Sequence, residues 1–172
     1  IIREIESEDN EKLALLIREV LTEFGINRPG TVYTDPTTDN LFKLFDRDDA
    51  KYWVAESGIE LVGCCGYYPT EGLDPNCVEL VKLYVHKDSR GLGLGKRLME
   101  TTIDSARDAG YESIYLETLP ELSNAVELYK NLGFKPLTSP LGNSGHFACN
   151  LWMLKEFYPL FCRLWYVLSP LV

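Results

Sequence analysis

Val78 to Lys96, VELVKLYVHKDSRGLGLGK, is the stretch on which the fold turns. From Val78 to Val85, apolar and β-branched residues recur at every second position with Glu79 between them, a period of two that predicts a half-buried strand. Asp88 and Ser89 break that pattern. Gly91, Gly93 and Gly95 follow at alternate positions, and Leu98, Met99, Ile103 and Ala106 then recur at helical spacing. Glycines at a helix start bare several backbone N–H groups with no Cβ in the way. Such a turn wraps an anion, of which a phosphate or pyrophosphate is the natural example.

Spacing separates the kinds of phosphate loop. A Walker loop needs a glycine five positions before its Gly-Lys pair and Ser or Thr after it, where this chain has Arg90 and Arg97. A dinucleotide fingerprint needs a third glycine where Lys96 stands, and no acidic residue closes a following strand at the usual distance. The pattern Arg-x-x-Gly-x-Gly, with Arg90, Gly93 and Gly95 after a strand containing LYV, resembles the coenzyme A pyrophosphate loop of the GCN5-related N-acetyltransferase (GNAT) superfamily. Downstream, after YLET at 115–118, the block AVELYKNLGF carries Ala125, Leu128, Tyr129, Gly133 and Phe134 at the spacing of the superfamily's last block. The two blocks stand in the right order, and residues 1–155 can be laid on the superfamily's sequence of elements. The whole resembles a bacterial subgroup of small-molecule acetyltransferases.

What the resemblance implies is specific. The fold is expected to be α+β: a mixed, mostly antiparallel twisted sheet flanked by helices, with a V-shaped splay between the central strand and the next. The activity is expected to be transfer of an acetyl group from acetyl-coenzyme A to a primary amine, by direct attack in a ternary complex and with no metal. By similarity, the main chain of Leu83, Tyr84 and Val85 pairs with the pantetheine arm. Arg90, Gly91, Leu92, Gly93, Leu94, Gly95 and Lys96 hold the pyrophosphate at the helix N-terminus. Tyr129 matches the tyrosine that gives a proton to the departing sulfur; a phenol, with a free pKa of about 10, has a proton to give at neutral pH. Glu79 matches the base of histone-type members and Glu117 that of ribosomal-protein-type members, with His146 a third candidate. One departure stands out: Leu122 occupies the position where the superfamily often has a pantetheine-binding Asn, and whether the nearby Asn124 contacts coenzyme A is left open. The competing readings are a non-catalytic acyl-coenzyme A binding or sensor module, and an interaction domain that binds no coenzyme A.

Composition bounds these readings. With 172 residues, 45% hydrophobic and 25% charged, the chain suits one globular domain. A net charge of −9 and a pI near 4.7 argue against nucleic acid or an anionic membrane as partner. Against that global sign, Lys82, His86, Lys87, Arg90, Lys96 and Arg97 form a local basic patch suited to a polyanionic donor. The acceptor is expected to be a small-molecule or peptide amine. Five cysteines, at 64, 65, 77, 149 and 162, make no CxxC pair and no even disulfide framework, which fits a reducing cytoplasm. Cys64 and Cys65 read as small hydrophobes within a strand. Charged residues Arg3, Glu4, Glu6 and Glu8 interrupt any apolar run at the start, so no secretory signal is read there and the protein is expected to be cytoplasmic.

Taken in order, a short strand at Ile1–Ile5 leads to an amphipathic helix carrying Leu13, Leu16, Ile17, Val20, Leu21 and Phe24 and ending at Gly25. A proline-bearing loop follows, then a short helix at 40–46. Two strands, 52–56 and 60–68, are joined at Ser57-Gly58. After the central strand come a helix over 92–109, a strand over 113–118, a helix over 121–131, and strands over 134–137 and 147–154. The tail, residues 156–172, is mostly apolar but too short for a membrane span and broken by Arg163 and two prolines. It reads as an extra packed element, a homodimer contact, or a segment not native to the fold.

Overall fold

A computed structural model of the protein describes residues 1–157; the expected apolar tail lies, from residue 158 onward, outside them. Seven strands, β1 (Ile2–Glu4), β2 (Lys51–Ser57), β3 (Glu60–Tyr68), β4 (Cys77–Val85), β5 (Ser113–Thr118), β6 (Lys135–Leu137) and β7 (Leu151–Glu156), form one sheet in the spatial order β1-β2-β3-β4-β5-β7-β6. Helices α1 (Asn10–Glu23), α2 (Leu41–Phe45), α3 (Leu94–Asp108) and α4 (Ser123–Asn131) complete the expected order of elements. Every strand pair is antiparallel except β4 with β5, so the fold is the mixed α+β sheet that the sequence predicts.

Most boundaries fall within a residue of the sequence reading, and three elements differ by two residues or more. The glycine turn continues to Gly93, and α3 starts at Leu94 rather than Leu92. Pro120–Leu122 form a 3-10 turn before α4, because Pro120 restrains the backbone at its start. The apolar run expected as a strand from Phe147 pairs only from Leu151 and then continues to Glu156; Phe147 stays outside it, 82% exposed.

Period-two alternation divides the core between the two sheet faces. On one face Tyr52, Val54 and Cys64 pack under α1 with Leu13, Ile17 and Leu21. On the other, Trp53, Ala55 and Cys65 join Leu98, Met99 and Ile103 of α3 and Tyr129 of α4. Leu98 is fully buried and lies close to β3: a Cβ at Gly63 would stand 3.0 Å from the Leu98 side chain, tighter than ordinary contact. Leu98→Ala is expected to lower unfolding free energy in urea by roughly 2–5 kcal/mol, the usual range for a buried leucine. Among the described residues, no helix is long and apolar enough to cross a membrane.

Two irregularities in β4 shape the cleft. Its parallel pairing with β5 is confined to Cys77–Ser113, Val78–Ile114 and Glu79–Tyr115. Beyond that point β5 follows β7 while β4 follows β3, so the two strands part and, among the described residues, leave one edge of Leu80–Val85 without a partner strand. Further along, Cys64 faces Tyr84 and Gly66 faces Val81, so Lys82 and Leu83 together stand against Cys65: a β-bulge. Lys82 adopts φ +52°, the sole positive φ at a non-glycine position among the described residues. Its carbonyl accepts a hydrogen bond from the Tyr52 hydroxyl at 3.0 Å. The bulge shifts the alternation by one: Val78 and Leu80 face the α3 side before it, and Leu83 and Val85 do so after it. Under strict alternation Lys82 would have been buried beneath α3 with its charge.

Candidate active site

Three cavities meet at the splay. On one side lies a cavity of about 450 Å³ walled by Leu83, Tyr84 and Val85, by the turn residues Arg90, Gly91 and Gly93, and by the start of α3. In the splay sits a small cavity of about 60 Å³, reached by Tyr84, Glu79, Glu117 and Tyr129. On the far side opens a third, of about 510 Å³, under the loops that carry Asp35, Thr70 and His146. Leu83 and Tyr84 line the first and second; Glu79, Lys82 and His146 line the second and third.

The first cavity has the features of a phosphate cradle. Gly91 and Gly93 take φ +76° and +75°, a conformation other residues adopt only under strain. The N–H of Arg97 makes its bond to the Gly93 carbonyl at 3.1 Å, so the amides of Leu94, Gly95 and Lys96 precede the helical ladder. Asn124 and Leu122 both line this cavity. Leu92 does not: it is 78% exposed on the outside of the turn.

The basic patch is dispersed by partners from other elements. Lys82 leaves it altogether, its ammonium lying 2.6 Å from Asp35 on the far side of the splay. The Arg90 guanidinium grips Glu23 at 2.7 and 2.8 Å, donates to the Val85 carbonyl at 2.9 Å and stacks over Phe24. His86 lies 3.5 Å from Glu19, and Lys87 3.9 Å from the same carboxylate. Acidic residues of α1 thus face the turn, which the sequence pattern of β4 and α3 alone does not reveal.

Glu79 and Glu117, far apart in the sequence, reach the same small cavity, but their surroundings differ. Glu79 is 3% exposed. Burial, reinforced by the Glu117 charge, pushes its carboxyl up to about 7 against the lowering effect of a hydrogen bond from Thr70. Glu117 has both oxygens engaged, one by the Tyr115 hydroxyl at 2.9 Å and the other by Ser144 at 2.8 Å. The Tyr129 side chain is buried beside Phe134, and burial lifts its phenol far above the ordinary range. It therefore keeps its proton throughout the physiological range. His146 turns toward Asp35, with 3.5 Å between Nε2 and Oδ2.

Cys149 lines the same cavity, and burial pushes its thiol up to about 12. Cys64 and Cys65 are fully buried, with thiols likewise pushed up to about 12 by burial. None of these sulfurs is a thiolate at neutral pH. Asp35, Thr70 and Ser144 are site residues that sequence reasoning missed. Each sits on an irregular loop, where no period marks a side chain as inward-facing.

Comparisons with known proteins agree with this geometry. The family model described as "Acetyltransferase (GNAT) family" matches residues 16–134. The chain is 36% identical over 157 residues to the Uncharacterized N-acetyltransferase YjgM of Escherichia coli K12, covering 91% of this chain and 94% of that one. Among solved structures, a GNAT-family acetyltransferase from Staphylococcus aureus Mu50 superposes with TM-score 0.80 at 25% identity, covering 91% of this chain and 98% of that chain. The fold of PaiA N-acetyltransferase from Thermoplasma acidophilum, solved in complex with coenzyme A, matches with TM-score 0.71 at 19% identity over 91% and 98% of the two chains.

Proposed function

Because the chain belongs to the GNAT family of acetyltransferases, we propose that it transfers an acetyl group from acetyl-coenzyme A to a primary amine in a ternary complex. The observation that carries this reading is the parting of β4 from β5, which lets a glycine-turn cavity and a separate loop-covered cavity meet where Glu79 and Tyr129 stand. When bound, acetyl-coenzyme A supplies an activated thioester; the remaining chemistry falls to the chain. The amides of Leu94, Gly95 and Lys96 hold the pyrophosphate, and the unpaired edge of Leu83–Val85 offers N–H and C=O groups to the pantetheine arm. One of those N–H groups donates to the carbonyl oxygen as it gains charge.

Of the two carboxylates, Glu79 is assigned the base. A carboxyl near 7 is substantially ionised at physiological pH and a stronger base than an ordinary carboxylate, and among the described residues only one of its oxygens is engaged, by Thr70. Glu117, held at both oxygens, is assigned to keeping Glu79 high by its charge. Tyr129 gives its proton to the sulfur leaving group.

The pyrophosphate assignment is tested at Gly93. A β-branched side chain is strained at φ +75°, although open space surrounds the position. Gly93→Val is expected to weaken coenzyme A binding about tenfold or more in a calorimetric titration. Unaltered affinity in a folded variant removes the phosphate role of this turn. Release of free thiol from acetyl-coenzyme A on addition of amines tests transfer itself; coenzyme A binding without release for any amine favours a binding module instead.

A further inference from the structure

Resting on the amine-acylation reading, we infer that Asp35 sets acceptor selectivity by neutralising Lys82, so that the pocket takes primary amines with an apolar or cationic remainder and rejects those carrying a carboxylate beside the amine. The charged groups lining the 510 Å³ cavity are Asp35, Glu71, Glu79, Lys82 and His146. Among the described residues only Lys82 is a permanent cation there, and its side chain is 4% exposed with the ammonium 2.6 Å from Asp35. Arg47, which reaches the cavity-lining Tyr68 from outside, is likewise engaged, donating at 2.7 Å both to Asp49 and to the Tyr68 hydroxyl.

An α-amino acid held with its nitrogen at Glu79 would bring its carboxylate into a cavity that also carries Asp35 and Glu71, with no free permanent cation among the described residues to receive it. Like charges without a counterion in a partly enclosed site discriminate strongly. The rest of the wall is apolar or neutral, with Leu44, Phe45, Tyr68, Val81 and Phe147 facing a space sized for a small ligand. The Lys82–Asp35 pair is itself a product of the bulge, since the reversed φ at 82 sends the side chain to this face. Burial raises the Asp35 carboxyl, but hydrogen bonds from His146 and Lys82 outweigh it and hold the group ionised, so Asp35 cancels the lysine at any physiological pH.

The test uses matched amine pairs differing by one carboxylate beside the amine: phenethylamine and phenylalanine, tyramine and tyrosine, agmatine and arginine. Transfer from acetyl-coenzyme A is followed by thiol release, and coenzyme A affinity by calorimetry. The decarboxylated member of each reacting pair is expected to show at least about tenfold higher kcat/KM. Equal or better rates for the amino acids overturn the inference, as does acetylation of no member of any pair by protein that binds coenzyme A. Failure to bind coenzyme A brings down the acetyltransferase reading itself, and the inference with it. Asp35→Asn leaves Lys82 charged and uncompensated, and is expected to shrink the preference about tenfold with coenzyme A affinity unchanged. If that variant does not fold, Lys82→Met serves: it removes the cation and must keep or widen the preference. Loss of preference in Lys82→Met overturns the assignment.

Discussion

Replacing Glu79 by Gln is expected to lower kcat/KM by about 10²- to 10³-fold while making the folded protein more stable above neutral pH. The two effects have one cause. The carboxyl is buried in the wild type, and its pKa stands at about 7 against an ordinary 4.5. A folded-state pKa above the unfolded one means that stability is fully present below about 4.5 and is lost as pH rises through about 7. Gln removes that loss and can still accept the Thr70 hydrogen bond, so at pH 8 the variant should gain up to about 3 kcal/mol in urea unfolding. In the wild type, kcat/KM should rise with pH through about 7 as Glu79 becomes able to accept a proton, then level off; in the variant that limb should vanish. Loss of activity accompanied by loss of stability would mean damage to the fold, and an unchanged pH profile would give the base role to another group. The corresponding change at Glu117 should instead move the limb to lower pH, because the charge that helps hold Glu79 high would be gone.

Tyr129→Phe is expected to reduce kcat about 10²-fold or more and leave coenzyme A affinity within about threefold of wild type. Only the hydroxyl is removed. The ring keeps its place against Phe134, at 6.0 Å between centroids, so the core of that sheet face is retained. Single-turnover measurements with acetyl-coenzyme A locate the defect: a slowed chemical step at unchanged donor affinity is the signature of a missing proton donor. Wild-type turnover in the variant would hand the proton transfer to water.

The parts of the fold legible in the sequence were those written in a period. The alternation through β4, the glycines before α3 and the Ala125–Phe134 block each carry a local physical signal, and each lies where that signal puts it. Lys82 lies across the splay from the phosphate turn, not within the basic patch, and the reversal of φ that puts it there leaves no trace in a pattern of apolar and polar positions. The chain does contain a hint: a lysine within VKLYV, where strict alternation would drive a charge into the core. Phe147 lies outside the strand that its apolar run predicts, since an exposed aromatic at a cavity rim and a buried one in a sheet look alike by composition. Asp35 left no signal, its partner standing 47 residues away across a loop with no period of its own.

The bulge at Lys82 works as a frameshift in sidedness. Were the bulge flattened with every residue kept, the same seven strands could still be threaded, yet the stretches before and after Lys82 would disagree about which face is inside. Tyr84 and Val85 would exchange faces, and the ammonium would be driven under α3. The single-residue irregularity therefore ties two properties together, so that the outline of the acceptor chamber and the soundness of the interior cannot be altered independently along this strand.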